Sequence, residues 1–415
     1  MVPLLRGAGV CLYTCSITHP CQYTCQRAPS QEGNYKCADQ MKIGYDAKRA
    51  FLNNTGLGNY SRWLIKSMAE FYPDNQYFLY TPQVKPNSRL DFLNDFANIN
   101  TKIPGVKLFT SWWRSRGIVK DLKRDGIEVY HGLSHELPSG IKKSNIRSVV
   151  TVHDTIFLRF PQYYGKISRA IYTAKLKYAC KVADSIVAIS ERTKADLVEL
   201  LNITPEKINV IYQGCDASFK TVCTTEEKQS IRKKYNLPTE FILNVGTIEE
   251  RKNLWLLINA LSFESDVKLV VIGRQTPYVD EIKKHLSKYQ ANNQVIFINN
   301  VDFADLPAIY QSARLFVYPS RYEGFGIPVL EAITSGTPVI AAKGSCLEEA
   351  GGPDSLYVAP DDHIDLAEKI HQAMTDDELR KNMIAKGKEY SLNFEDDKLA
   401  AQLMAVYNNI TAHAE

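Results

Sequence analysis

The chain has 415 residues, 45% of them hydrophobic and 23% charged, with a formal net charge of +4 at pH 7. That length and balance describe a globular protein of about two domains. The small positive charge argues against nucleic acid as a partner, and no apolar run approaches the ~20 residues that a membrane-spanning helix needs.

Five of the nine cysteines fall in the first forty residues, at Cys11, Cys15, Cys21, Cys25 and Cys37. Cys11-Leu-Tyr-Thr-Cys15 and Cys21-Gln-Tyr-Thr-Cys25 form a small repeat whose spacing could hold zinc. The segment otherwise has no helix or strand period. Residues 1–40 are therefore expected to be a disordered or non-native extension rather than a signal peptide, with Met41 the start of regular structure. Cys180, Cys215, Cys223 and Cys346 are scattered, as in a reduced cytoplasmic protein.

From Met41 onward, strand-like apolar runs alternate with helical stripes, the pattern of a parallel sheet covered on both faces. Met41–Asp46 reads as the first strand, and Tyr60, Trp63, Leu64, Met68 and Phe71 as a helix stripe. Strands are expected at 77–80, 106–109, 127–131, 148–152, 185–189 and 208–211, with helices over 166–182 and 191–201. Residues 41–212 then form one doubly wound domain and 213–224 a linker. The alternation restarts over 225–392, with strands at 241–245, 268–272, 295–298, 315–318 and from Val339. The remainder is helical, and 393–411 presents Leu399, Leu403 and Met404 on one side. The fold class is α/β, with two Rossmann-like domains facing a cleft into which the C-terminal strand ends can reach a ligand.

Candidate chemistry falls at such strand ends. Gly56 and Gly58 mark a strand-to-helix turn where backbone could approach a ligand, although the third glycine of a dinucleotide fingerprint is absent. His153-Asp154 ends an apolar strand; the histidine could donate a hydrogen bond to a sugar hydroxyl or a charge-stabilising one to a reacting centre, or form a structural pair with the aspartate. His131 and His135 are weaker candidates of the same kind. Arg251-Lys252-Asn253 follows a strand and precedes a helix, a favourable place for phosphate, unless Glu249 and Glu250 merely neutralise it.

The stretch Phe316 to Ile340 reads as strand, glycine loop, helix and strand, with Pro328 at a first helical position and Gly336 at the stop. Its loop amides and helix start favour an anion. Glu323 projects from the loop and Glu331 from the helix. No Asp-x-Asp pair occurs to hold a metal, which leaves Arg251 and Lys252 to stabilise leaving-group charge. Residues 108–124 mix Trp112 and Trp113 with five basic residues. They are read either as peripheral contact with an anionic membrane or as a helix with buried tryptophans.

Several stretches carry a resemblance: Thr55-Gly-Leu-Gly-Asn-Tyr60, Val152-His-Asp-Thr-Ile-Phe157, Val187-Ala-Ile-Ser-Glu191, Val210-Ile-Tyr-Gln-Gly214, Val245-Gly-Thr-Ile-Glu-Glu-Arg-Lys-Asn253 and Glu323-Gly-Phe-Gly-Ile-Pro-Val-Leu-Glu331. From Met41 to the end the chain resembles the retaining glycosyltransferases of family 4, which have the glycosyltransferase B fold. The resemblance implies that Glu323 binds donor-sugar hydroxyls and that amides of Gly324, Phe325, Gly326 and Ile327 support sugar and phosphates. It further implies that Glu331 holds the ribose, that Arg251 and Lys252 stabilise the departing diphosphate, and that His153 lies near the reacting carbon. Gly246-Thr247 stands where many members have Gly-Arg, and residues 1–40 have no counterpart. The His-Asp-Thr-Ile-Phe motif is similar to that of mannosyl- and other hexosyltransferases extending polysaccharide repeats. The expectation is therefore a metal-independent transferase without a cofactor, using a GDP- or UDP-linked sugar, with GDP-mannose favoured. Its acceptor would be a glycan or lipid-linked saccharide in surface polysaccharide or lipopolysaccharide synthesis, and its last helix would cross back onto the first domain. The alternatives are a non-catalytic sugar-nucleotide-binding subunit and a glycoside hydrolase using Glu323 and Glu331 as acid and base.

Overall fold

Two parallel sheets of the expected kind organise the computed structural model, which describes residues 40–412 apart from 86, 106–108, 263–266 and 289–293. The expectations for residues 1–39, the cysteine repeat included, lie outside the described residues. The first sheet contains β1 (Lys42–Asp46), β2 (Gln76–Tyr80), β3 (Ile99–Lys102), β4 (Val129–Gly132), β5 (Arg147–Val152), β6 (Ser185–Ala188) and β7 (Ile208–Val210), in the order β3-β2-β1-β4-β5-β6-β7. The second contains β8 (Ile242–Val245), β9 (Leu269–Ile272), β10 (Val295–Ile298), β11 (Leu315–Tyr318), β12 (Val339–Ala342) and β13 (Leu356–Val358), in the order β10-β9-β8-β11-β12-β13. Central strands such as Ser148–Val152 are buried on both faces, which is why they read as unbroken apolar runs.

The third strand differs from the sequence reading. Val106, Lys107 and Leu108 lie outside the described residues, and Phe109 has a left-handed backbone at φ 68°. The edge strand is instead Ile99–Lys102, whose middle residues, Asn100 and Thr101, are exposed. An edge strand faces water on one side and can be polar, so a search for apolar runs passes over it.

Each sheet reverses its winding once, between β1 and β4 and between β8 and β11. The loops that leave these strands open the crevices in which α/β sheets bind ligands. After β7 the chain runs through a short helical turn, Ala217–Lys220, to helix Thr225–Lys234, which Thr224 and Glu227 start with a reciprocal capping box. The helix Asp396–Ala412 lies on helix Gly56–Phe71 of the first domain. It buries Leu399, Leu403 and Tyr407, and Asp396 accepts from Trp63 Nε1 at 2.9 Å. Each such apolar side chain withdrawn from water contributes about 1.5–3 kcal/mol.

Candidate active site

The second sheet's reversal places Arg251 and Lys252, which follow β8, opposite the loop that follows β11. The backbone holds the two loops together: Arg321 N–H donates to the Arg251 carbonyl at 3.0 Å. Asn253, at φ 58°, sends its buried amide to the carbonyls of Pro319 and Pro360 at 3.1 and 2.7 Å. Glu323 is thereby delivered to the cations. Its Oε1 accepts from Lys252 Nζ at 2.5 Å, lies 2.9 Å from Arg251 Nη1, and accepts from Ser320 Oγ at 2.6 Å and Tyr318 OH at 3.2 Å. Burial opposes ionisation of this carboxyl, but Lys252 and Arg251 outweigh it and hold its pKa at about 2. Arg251 also pairs with Glu249 at 2.7 Å. The cations are therefore neither a solvated turn nor free for an anion; they are occupied by a carboxylate.

Glu331 is in the opposite state. It sits on helix Ile327–Thr334, accepts from Tyr310 OH at 3.0 Å, and burial pushes its pKa up to about 8. It lines a cleft of about 390 Å³ between the two domains, together with Gly56 and Arg62 of the first domain, Gln213 of the linker, and Phe303 and Ile327 of the second. That volume suits a small-molecule ligand. A pair of vicinal hydroxyls donating to Glu331 favours its ionised form, so binding releases a proton and affinity rises with pH until about 8, then levels. Titration calorimetry with a nucleoside diphosphate from pH 6 to 9 checks this, and the slope should disappear in Glu331→Gln.

The first domain brings His153 to the same region. It follows β5 and is buried, with its ring edge-on to Tyr60 at 4.6 Å. Nε2 lies 2.8 Å from the Leu133 carbonyl, which can only accept, so that nitrogen carries the proton. Burial, then neighbouring His135, lowers its pKa to about 3. The ring is neutral and offers Nδ1 as an acceptor. The sequence reading of His153 as a donor, charged or neutral, is thus corrected: its donor is already committed to the backbone. His135 Nε2 accepts from His153 N–H at 2.7 Å and so positions it. His131 is fully buried, bound to Tyr407 OH at 2.7 Å and Thr151 Oγ1 at 2.8 Å, and serves the core.

The two domains touch at Gly324. A Cβ there would lie 1.9 Å from the His153 carbonyl oxygen, so only glycine permits this approach. The Gly324 carbonyl accepts from Ser190 Oγ at 2.6 Å. Beside it, Tyr322 OH and Arg192 both donate to Asp196, a fully buried carboxylate that also takes Thr155 Oγ1 at 2.5 Å. Asp196 thus joins the loop of His153 to the loop of Glu323. Glu349 adds a third tie by accepting from the N–H groups of Glu191 and Arg192, at 2.7 and 3.0 Å, at the start of helix Glu191–Leu201. None of Tyr318, Ser320, Asp196, Tyr322 and Glu349 was singled out from sequence. Ser190 belongs to the stretch Val187–Glu191 that carries the family resemblance.

Other expected residues divide by position. Gly58 is a packing requirement, since a Cβ there would meet the Asn53 carbonyl oxygen at 1.8 Å, whereas at Gly56 nothing stands within 4 Å. Gly326, at φ 122°, turns the loop into its helix. Gly246, at the end of β8, leaves ordinary contact with Tyr318. Phe325 packs its ring against Tyr212 at 5.4 Å and Phe394 at 5.6 Å, which leaves its backbone for any ligand. In 108–124, Trp113 is buried and donates to Asp121, and Arg114 is held by Asp46 and Glu136, while Phe109 and Trp112 stand exposed. Of the two tryptophans that the helix reading buries, only Trp113 is buried.

Comparison with known proteins matches both domains. Residues 59–219 match the model for Glycosyltransferase Family 4, and residues 226–390 that for Glycosyl transferases group 1. The chain is 29% identical over 286 residues to O-antigen chain mannosyltransferase B of Escherichia coli, covering 67% of this chain and 74% of that protein. It is 30% identical over 281 residues to the serotype-specific mannosyltransferase WbdA of Escherichia coli, covering 64% of this chain but 34% of WbdA. Its fold is similar to that of Anabaena Alr3699/HepE in complex with UDP-glucose, with TM-score 0.70, 16% identity, and coverage of 89% of this chain and all of the other (100%). It is also similar to a glycosyltransferase from Rickettsia africae, with TM-score 0.69, 19% identity, and coverage of 90% and 99%.

Proposed function

The chain belongs to the family 4 glycosyltransferases, and from that premise we propose that it moves a mannosyl group from GDP-mannose to a glycan or lipid-linked saccharide during surface polysaccharide synthesis, with retention and without metal or cofactor. The observation that carries the reading is the cluster of Arg251, Lys252 and Glu323 at the reversal of the second sheet, against the His153 loop of the first domain. A diphosphate competes with Glu323 for the two cations. As it binds, Glu323 is freed towards the sugar, and the cations take up the charge that develops when the diphosphate leaves. His153 Nδ1 accepts from a donor-sugar hydroxyl and fixes the ring's orientation. The acceptor hydroxyl attacks the anomeric carbon on the face the diphosphate is leaving, and a phosphate oxygen takes its proton. Glu331, outside this cluster, holds the ribose in the cleft.

The mannosyl assignment draws on the relatives named O-antigen mannosyltransferases, and the nucleotide sugar on the neighbour that binds UDP-glucose. Work at the cytoplasmic membrane face accords with a lipid-linked acceptor. Among the described residues no helix is long and apolar enough to cross a membrane. The glycosidase reading needs one of the pair as a proton donor, yet Glu323 is an ionised carboxylate paired with Lys252 and Arg251, and that reading leaves those cations without a role.

A thermal-shift panel of GDP-, UDP- and ADP-sugars, followed by transfer assays, tests the proposal. GDP-mannose should raise Tm and Glu331→Ala should abolish most of that rise. If no nucleotide sugar shifts Tm, the assignment fails; a shift by UDP-sugars alone would remove GDP-mannose.

A further inference from the structure

The stretch between Asp154 and Asp184 contains no carboxylate. It carries Arg159, Lys166, Arg169, Lys175, Lys177 and Lys181, in a chain whose whole net charge is only +4. Most of it is helix Lys166–Val182, whose buried residues are Leu176, Ala179 and Cys180. Before Leu176 none of its residues is buried, and Tyr172, whose ring meets Phe157 and Tyr164, fastens this half to the domain. Its outer face exposes Ile167, Ile171 and Tyr172, at 79, 49 and 45% of their full accessible surface. Ile167 and Ile171 are four residues apart and so stand on one side of the helix. Arg159 is held by Asp196 and Glu199, and Lys175 by Glu136. Among the described residues no carboxylate pairs with Lys166, Arg169, Lys177 or Lys181. At about 100° per residue, Lys181 falls beside Ile167 and Ile171, and Lys166 and Lys177 flank them, whereas Arg169, seven residues before Leu176, falls on the inner side. A solvated helix has no need of two isoleucines among unpaired lysines.

We propose that this face of helix Lys166–Val182 rests on an anionic lipid surface. Ile167 and Ile171 enter the boundary between headgroups and acyl chains, and the lysines reach outward to lipid phosphates. Charge complementarity selects lipid as the occupant: a folded protein partner would need a matching acidic patch, whereas an anionic leaflet supplies negative charge and apolar depth together. The face is also well placed. The helix is tied to the reaction centre through aromatic rings, Tyr172 to Phe157 at 5.9 Å and Tyr172 to Tyr164 at 6.4 Å. The adjoining Phe160 meets Tyr322 at 5.1 Å, one residue before Glu323. A saccharide held by its lipid in that surface therefore arrives beside the site rather than behind it. This inference rests on the lipid-linked acceptor proposed above and differs from the segment 108–124 considered from sequence.

Co-sedimentation with vesicles of phosphatidylcholine, alone or with phosphatidylglycerol, tests it. The full chain should bind the anionic vesicles at least about tenfold more tightly than the neutral ones, and less tightly as salt rises. Ile167→Asp combined with Ile171→Asp should remove most of that binding, with Tm and transfer to a water-soluble acceptor unchanged. Transfer that persists on the soluble acceptor separates failure of this inference from failure of the assigned reaction. A milder pair, Lys177→Ala with Lys181→Ala, should weaken binding and flatten its salt dependence. The inference is overturned if anionic and neutral vesicles bind alike, or if Phe109→Ser with Trp112→Ser removes binding while the isoleucine variant keeps it. It is equally overturned if the wild type is a dimer that the isoleucine variant dissociates.

Discussion

Glu323→Ala is expected to lower turnover by roughly 10²–10³-fold, the scale on which a preorganised charge acts at a reacting centre. Nucleoside diphosphate affinity should hold or rise. The reason lies in the ion pairs: Glu323 occupies both Lys252 and Arg251, so its removal opens the two cations to phosphate. The same removal leaves two mostly buried cations without their shared anion, and stability should fall by about 3–5 kcal/mol until ligand is added. Steady-state kinetics, calorimetry and thermal melts with and without GDP distinguish these effects. A loss of nucleotide affinity that equals the loss of turnover would contradict the assignment of Glu323 to the sugar.

Gly324→Ala should be nearly as damaging by a different route. Its Cβ would be placed 1.9 Å from the His153 carbonyl oxygen, where backbone cannot yield. The domains must then stand apart by an ångström or more, and a displacement of that size at a reacting centre costs on the order of 100-fold. The second domain's own core is untouched, so GDP should still bind. Solution scattering should report a more open molecule, and turnover should fall without a matching fall in nucleotide affinity. Wild-type turnover in this variant would show that the contact between Gly324 and His153 is not part of the working form.

Much of the fold was legible because buried parallel strands announce themselves as apolar runs, as Ser148–Val152 and Leu315–Tyr318 do. Ile99–Lys102 was not, since half of an edge strand belongs to the solvent. The site was legible where chemistry is local. The Arg251-Lys252 turn and the Glu323 loop each carry a recognisable run of residues, and the sheet order brings them together. What escaped was tertiary: Tyr322 and Asp196 lie 126 positions apart, and nothing near either one announces the other. The same holds for Glu349 and the helix start at Glu191 that it caps. The tautomer of His153 depends on the Leu133 carbonyl, which sequence offers no means of placing.

The helix Asp396–Ala412 also bears on how the molecule is made. His131, at the end of β4, has no exposure to water, and one of its ring nitrogens is satisfied by Tyr407. Tyr407 is translated after every strand of both sheets. While the chain is still on the ribosome, the first domain therefore holds a histidine whose partner does not yet exist, at a cost of about 1–3 kcal/mol, along with an uncovered apolar face on helix Gly56–Phe71. In the usual order, the earlier domain finishes folding while the later one is being made; here it would do so short of these contacts. The first domain's core is complete only when the last helix of the chain has docked.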